Sequence, residues 1–251
     1  MSGSASVTQK TLYTAPNQEP HLSSALCANF RGRLCQTLLQ NRSPLKFEKG
    51  ATLYEAGDKE GMFFFIRSGV VKIGTVTENG QEVIFDVRKA GEVVGELCAS
   101  SLPRMDRAVA LEFTEAVPVS YDEILETIQK NQPLLRELIQ LFCDSLLSAQ
   151  EQVTSLAFGD TMHRLTKTLL DLAWQLGRPL GNRVEITAHL TQEELSQMVA
   201  ARRERVSLGL GLLRRQGIIE YTPRGHLLVD PGALRDYGVK REELNLRCSA
   251  P

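Results

Sequence analysis

The apolar positions change period along the chain, and each change predicts a different kind of element. Residues 1–22 are polar, rich in Ser, Thr, Gln and Pro, and without periodicity, so a disordered tail is expected. Over 23–42, Leu26, Phe30, Leu34, Leu38 and Leu39 fall at helical spacing and predict a short leading helix. From Leu45 to Tyr121 the runs become strand-like: Lys46–Phe47, Thr52–Tyr54, Met62–Ile66, Val70–Val76, Glu82–Val87, Ala108–Phe113 and Val117–Ser120. Gly50, Gly57, Gly69, Gly80, Gly91 and Gly95 punctuate them. Asn79-Gly80 marks a hairpin, because both residues tolerate the positive φ that a tight two-residue turn needs. Many short strands at regular spacing predict an antiparallel β-roll, a cupin-like jelly roll.

A long helix follows. Pro133 suits its first turn. Leu135, Ile139, Phe142, Leu146, Ala149, Val153 and Leu156 then repeat at alternating steps of four and three. That unbroken seam predicts pairing with a second helix at a shallow angle, and so a homodimer held by this helix. Gly159-Asp160 ends the seam: Gly relaxes the backbone and Asp can cap the next helix, which makes a hinge. Another helix carries Leu165, Leu169, Leu170, Leu172 and Ala173, and a loop over Gly177–Asn182 leads to a strand at Val184–Ile186.

Thr191-Gln192-Glu193-Glu194 is a capping box that opens a helix with Leu195, Met198 and Val199 inward. Ala200-Ala201 makes a tight corner of small residues. A second helix runs from Arg202 to about Arg215, with Val206, Leu210 and Leu213 on its inner face and Gly217 as its stop. Ile218–Thr222 and His226–Val229, joined by Pro223-Arg224-Gly225, predict a two-stranded wing. Together these make a winged helix-turn-helix.

Its chemistry suits double-stranded DNA, since a major groove admits one helix whose first turn reaches base edges. Arg203 can pair with guanine O6 and N7, and Glu204 can accept from cytosine N4. Ser207 can bond a base or a phosphate, and Leu208 can touch a thymine methyl. Arg202, Arg205 and Arg224 can hold phosphates. Gly209 and Gly211 sit inside this helix, each a cost of about 1 kcal/mol relative to Ala.

The whole chain has 251 residues, 42% hydrophobic and 24% charged, with a net charge of −1, which fits folded domains. The excess of Lys and Arg lies in 161–251 and the excess of Asp and Glu in the rest, so a polyanion would meet the C-terminal part. No apolar run approaches the roughly 20 residues of a membrane span, and no secretory signal is visible. The odd set Cys27, Cys35, Cys98, Cys143 and Cys248, without a C-x-x-C pair, argues against a disulfide framework or structural zinc. Reduced thiols and a cytoplasmic protein are expected. No nucleophile–base pairing, metal-spaced set or phosphate-cradling Gly-x-x-x-x-Gly-Lys loop points to an enzyme.

Several separated motifs in order give this chain a resemblance. They are Lys49-Gly50-x-x-Leu53-Tyr54-x-x-Gly57-Asp58, Phe65-Ile66-x-x-Gly69-x-Val71-Lys72-Ile73 and Gly95-Glu96-Leu97. Further on come Leu156-Ala157-Phe158-x-Asp160, Glu193-Glu194-Leu195-Ser196-x-Met198-Val199 and Arg203-Glu204-x-Val206. Over residues 25–235 the chain resembles the CRP/FNR transcription regulators. The resemblance implies an α+β protein: an antiparallel β-roll over 23–130, a dimerisation helix over 131–159 and a winged helix-turn-helix over 160–237, before a C-terminal tail over 238–251. It implies a sequence-specific regulator that reads a pseudo-palindromic operator as a homodimer, meets RNA polymerase and answers a small-molecule or redox signal. A cyclic-nucleotide-binding module acting on a protein partner is the alternative, and the winged helix-turn-helix weighs against it. The family often has a basic residue where Leu208 stands.

Family members that bind cyclic nucleotides use Gly-Glu-Leu followed by Arg-Ser, Arg-Thr or Arg-Ala, the Glu for the ribose hydroxyl and the Arg for the phosphate. By resemblance, Gly95, Glu96, Leu97, Arg107 and Ala108 are the effector candidates. If the loop instead has the catabolite-activator length, Asp106 takes the arginine's place, where an anion repels phosphate. Ala149-Gln150 stands where polar residues would meet the base. An iron–sulfur cluster is a rival, but Cys27, Cys35 and Cys98 do not match the closely spaced family set. A thiol switch, another small ligand or haem, with His163 and His189 as its candidates, completes the alternatives.

Overall fold

The computed structural model describes residues 38–39, 41–99, 103–130 and 132–238. The expected tail over 1–22, nearly all of the leading helix and the chain beyond 238 lie outside them.

Eight strands build the roll: β1 (Leu45–Phe47), β2 (Thr52–Tyr54), β3 (Met62–Ser68), β4 (Val70–Val76), β5 (Glu82–Lys89), β6 (Val93–Val94), β7 (Arg107–Ala110) and β8 (Thr114–Ser120). They form two antiparallel four-stranded sheets, in the orders β1-β8-β3-β6 and β2-β7-β4-β5. Strand β3 shows why its run is apolar throughout. Successive side chains point to opposite faces. Phe64 and Ile66 enter the inner cluster with Tyr54, Val71, Ile73, Ala108 and Ala110. Phe63 and Phe65 enter a second cluster with Val117, Val119, Ile124 and Leu134. Both faces are covered, so alternation disappears.

The second cluster exists because two helices cover that sheet: α1 (Tyr121–Gln129) and α2 (Gln132–Phe158). Helix α1 is absent from the elements expected above. Its signal was present: Ser120 and Glu123 make a full capping box. The Asn79-Gly80 turn also differs from expectation. Three residues, not two, separate the pair Thr77 and Gln81, whose backbone bond is 2.8 Å, and only Gly80 takes a positive φ, +76°. That is the three-residue hairpin with glycine at its left-handed position.

The C-terminal unit comprises α3 (Thr161–Leu176), β9 (Gly177–Leu180), β10 (Arg183–Ile186), α4 (Gln192–Val199), α5 (Arg203–Arg215), β11 (Ile219–Tyr221) and β12 (Leu227–Val229). Asp160 caps α3, accepting from the His163 amide at 2.7 Å. The loop expected over Gly177–Asn182 is instead strand β9 and a two-residue turn. Leu180 pairs with Arg183, and Gly181 supplies φ +66° between them. Pro179 is compatible with this strand because β9 is the edge of the sheet β11-β12-β10-β9.

The two units share a core. Val70, Ile84 and Val87 of the roll join the cluster of Leu165, Leu169, Leu195 and Leu213. Strand β5 rests on α3 and α4. Its Lys89 Nζ donates to the Gln175 carbonyl near the end of α3, and Gln152 Nε2 of α2 donates to the Phe85 carbonyl at 2.6 Å.

Candidate nucleic-acid interface

The helix-turn-helix is built from its caps inward. Thr191 Oγ1 accepts from the Glu194 amide at 3.1 Å, and the Glu194 carboxylate accepts from the Thr191 amide at 2.8 Å. Leu195 and Val199 are buried, so α4 is anchored along one face. The corner turns at Ala200, which adopts φ +50° and ψ +51°. This left-handed conformation is rare for a residue with a Cβ. The Ala201 amide closes the corner on the Ser196 carbonyl at 3.1 Å.

Helix α5 begins at Arg203, with Arg202 as its extended N-cap residue and no side-chain cap. Val206, Leu210 and Leu213 are buried, as their spacing predicts. The opposite face carries Arg202, Arg203, Glu204 and Ser207, all exposed, and Leu208, which is 74% exposed. Uncapped first-turn amides and arginines together suit phosphate and base edges. The two helical glycines part company. A Cβ on Gly209 would lie 2.7 Å from Leu165 Cδ2 and 3.0 Å from Met162 Sδ, so Gly209 lets α5 cross close over α3. A Cβ on Gly211 would meet nothing within 4 Å.

Arg224 stands exposed at the tip of the wing. The turn beneath it is held by the Thr222 amide on the His226 carbonyl at 2.8 Å and by the His226 amide on Thr222 Oγ1 at 3.1 Å. His226 Nδ1 lies 3.0 Å from Glu185 Oε1, and Arg178 lies 2.8 Å from the other oxygen. These two partners, His226 first, hold the Glu185 carboxyl below its ordinary range. His189 packs edge-on against His226, at 5.3 Å between ring centres. Among the described residues no three metal-ligating side chains gather.

The stem residues divide. Leu134 and Leu138 are buried against the roll, with Phe142 packed partly on the same cluster. Leu135, Ile139, Leu146, Val153 and Leu156 are 45–66% exposed, and Ala149 is exposed as well. The seam is thus an apolar row along the free side of α2, apart from Phe142. Cys143 is exposed on the same helix. Cys27 and Cys35, and the side chain of Cys98, lie outside the described residues.

In the roll, Gly95 leads into a short 3-10 turn at Glu96, while Leu97 is exposed. Glu96 is buried, 3.6 Å from Arg88 Nη2, which also lies 2.9 Å from Asp86. Burial raises the Glu96 carboxyl above its ordinary range, against the pull of Arg88. Arg107 does not join Glu96 in this arrangement. Ala108 and Ala110 point into the inner cluster, so alternation sends Asp106 inward and Arg107 to the opposite face. Arg107 Nη2 lies 3.5 Å from Glu55. Asp106 is buried, and the Tyr54 hydroxyl donates to its Oδ2 at 2.8 Å. Burial, then Asp106, push the Tyr54 phenol far above its ordinary value. The Arg104 guanidinium lies 4.0 Å over the Tyr54 ring and donates to the carbonyls of Gly95 and Met62.

Comparison with known proteins matches both halves of the chain. Residues 44–131 fit the cyclic nucleotide-binding domain, and residues 163–237 fit the Crp-like helix-turn-helix domain. The chain is 30% identical over 179 residues to the cAMP-activated global transcriptional regulator CRP of Salmonella typhimurium, covering 69% of this chain and 83% of that protein. It is 28% identical over 194 residues to the CRP-like cAMP-activated global transcriptional regulator of Mycobacterium tuberculosis, covering 77% and 87%. The structure of FixK2 from Bradyrhizobium japonicum superposes with a TM-score of 0.68 at 18% identity, covering 78% of this chain and 96% of that one, which shows a shared fold. The same arrangement of roll, stem helix and winged helix-turn-helix, together with these relatives, places the chain in the CRP/FNR family of DNA-binding transcription regulators.

Proposed function

We propose that the chain works as a homodimer whose paired α5 helices enter successive major grooves of a pseudo-palindromic DNA site, with half-sites about one helical turn apart or a multiple of it. One observation carries this: α5 buries Val206, Leu210 and Leu213 and leaves Arg203, Glu204, Ser207 and Leu208 all facing outward. Arg203 reads guanine, Glu204 and Ser207 read or position neighbouring groups, and Leu208 meets a thymine methyl. Arg202 and the wing's Arg224 hold phosphates on either side. The exposed row Leu135, Ile139, Leu146, Ala149, Val153 and Leu156 pairs with its copy, and Phe142 bridges that seam to the roll.

The roll acts as the sensing part for a small-molecule signal. Strand β5 touches α2, α3 and α4, so it is the element through which the roll's state reaches the DNA-binding unit. A ligand shifts that balance only by binding one arrangement more tightly than the other. The protein works in the cytoplasm, where RNA polymerase is its further partner. Among the described residues no helix is long and apolar enough to cross a membrane.

Selection of genomic fragments followed by footprinting tests this. The expected result is a protected site with two-fold symmetry. Leu146→Glu places a charge in the seam and is expected to give monomers that protect no such site. A regulatory module acting on a protein partner would retain no fragment specifically, and that outcome would replace this reading.

A further inference from the structure

The wing stands on a cluster of ionisable side chains that α5 does not use. Glu185 of β10 is 6% exposed. Its carboxylate joins the wing to the sheet edge: Oε1 lies 3.0 Å from His226 Nδ1, and Arg178 of β9 donates to Oε2 at 2.8 Å. His189, between β10 and α4, sets its ring edge-on to His226 at 5.3 Å. That ring also lies against the wing tip, because a Cβ on Gly225 would come within 2.7 Å of His189 Cε1. Gly225 takes φ +80° there and follows Arg224, the exposed cation of the tip. His189 is exposed and His226 partly buried.

The tautomer of His226 follows from its partner. An ionised carboxylate only accepts, so the nitrogen facing Glu185 carries a proton. Neutral His226 then has a bare Nε2, and charged His226 is a donor on both sides. His226 and Arg178 hold the Glu185 carboxyl below its ordinary range, so it stays anionic. Imidazole is the side chain whose charge ordinarily changes between about pH 5 and pH 8.

The neighbouring charges nearly cancel. Glu185 favours a charge on His226, Arg178 and Arg224 oppose it, and a charge on either ring opposes a charge on the other. Arg183 and Glu220 form a separate pair at 3.1 Å. At the start of α4, Glu193 is exposed and Glu194 is turned to Thr191. Tyr221 of β11 meets Gln192 and Arg214, and burial pushes its phenol above the ordinary range. A phosphate brought to the wing tip therefore decides the balance in favour of a proton.

We propose that the His189–His226 pair is a phosphate-binding part of the DNA interface that takes up a proton as the wing tip meets the backbone, so that affinity for DNA rises on acidification. The inference rests on the reading that Arg224 and the wing face the duplex. Because each ring resists a second charge beside it, the proton belongs to the pair. His189, the exposed member, touches the phosphate. His226 is the positioning residue, with Glu185 as its anchor.

The test is fluorescence anisotropy of the full-length protein on its selected site at pH 6, 7 and 8 and constant salt. The expected affinity of the unchanged protein is about fivefold higher at pH 6 than at pH 8. The same ratio is expected on scrambled DNA, since a phosphate contact carries no sequence. The double variant His189→Gln with His226→Gln keeps a donor toward Glu185 and is expected to flatten the profile. His189→Lys fixes the charge and is expected to bind more tightly at pH 8 than the unchanged protein does. His163→Gln, on α3, is expected to keep the profile. A flat profile for the unchanged protein on a well-bound site overturns this inference alone. It is equally overturned by a double variant that keeps the slope, by loss of the slope in His163→Gln, or by no gain at pH 8 for His189→Lys. Should the double variant fail to fold, His189→Lys carries the test. Absence of a bound site at every pH removes the wing reading, and this inference with it.

Discussion

Arg164 Nε donates to the Val199 carbonyl at 2.9 Å, which ties α3 to the end of the first helix of the helix-turn-helix. The same guanidinium donates through Nη1 to the Gly159 carbonyl at 2.7 Å. One side chain therefore joins the end of the stem, the start of α3 and the corner that precedes α5. The Gly159-Asp160 junction between α2 and α3 is thus fastened from within.

Replacing this fastening is expected to loosen the C-terminal unit without unfolding the roll. A hydrogen bond to a charged group contributes roughly 1.5–3 kcal/mol, so Arg164→Met is expected to destabilise the unit by about 2–4 kcal/mol. The single tryptophan, Trp174, lies on α3, so its fluorescence reports on the C-terminal unit together with the strand β5 that rests on it. Urea unfolding followed by its fluorescence checks the figure. An unchanged midpoint would show that water replaces the guanidinium without loss.

Arg203→Ala is expected to weaken specific DNA binding by about 1–3 kcal/mol while leaving affinity for scrambled DNA nearly unchanged. Fluorescence anisotropy on the selected site and on a scrambled duplex measures both. Equal losses on the two would make Arg203 a phosphate ligand.

The two glycines of α5 are expected to answer alanine with opposite signs. Gly211→Ala meets open space and is expected to stabilise the fold by up to about 1 kcal/mol. Gly209→Ala pushes a methyl against Leu165 and Met162 and is expected to cost about 1–3 kcal/mol. Thermal melts of the two variants decide it.

Glu96 gives a pH signature. Burial raises its folded-state pKa above the ordinary 4.5, so the ionised form burdens the fold at neutral pH. A raised carboxyl loses that burden as the pH falls through its folded value, and none remains below the unfolded value. Glu96→Gln is therefore expected to raise the melting temperature at pH 7, and the gain should shrink on acidification. A gain that is the same at pH 7 and at pH 4 would point to packing instead of charge.

Local physics wrote much of this molecule plainly into the chain. The Thr191–Glu194 capping box and the four-three spacing of Val206, Leu210 and Leu213 placed the helix-turn-helix to within a residue. Strand β9 was hidden because Gly177 and Pro179 speak for a loop, and only the edge position makes that proline acceptable. Helix α1 was hidden by its nine residues, which follow a strand without a break, although Ser120 and Glu123 announced it. The choice between Asp106 and Arg107 could not be made locally. It depends on which residue continues the inward series of Ala108 and Ala110, and strand register settles that. Ile84 and Val87 likewise read as ordinary strand residues. Nothing in their spacing says that they pack on the other unit.

The close crossing at Gly209 has an evolutionary corollary. Because α5 packs closely on α3 there, a larger residue at 209 would push against Leu165 and Met162 and force the two helices apart. On the proposed reading, preference for one base over another changes through the outer side chains at positions 203, 204, 207 and 208. Substitutions at those four exposed positions would alter the preferred site and leave the buried floor of α5 as it is.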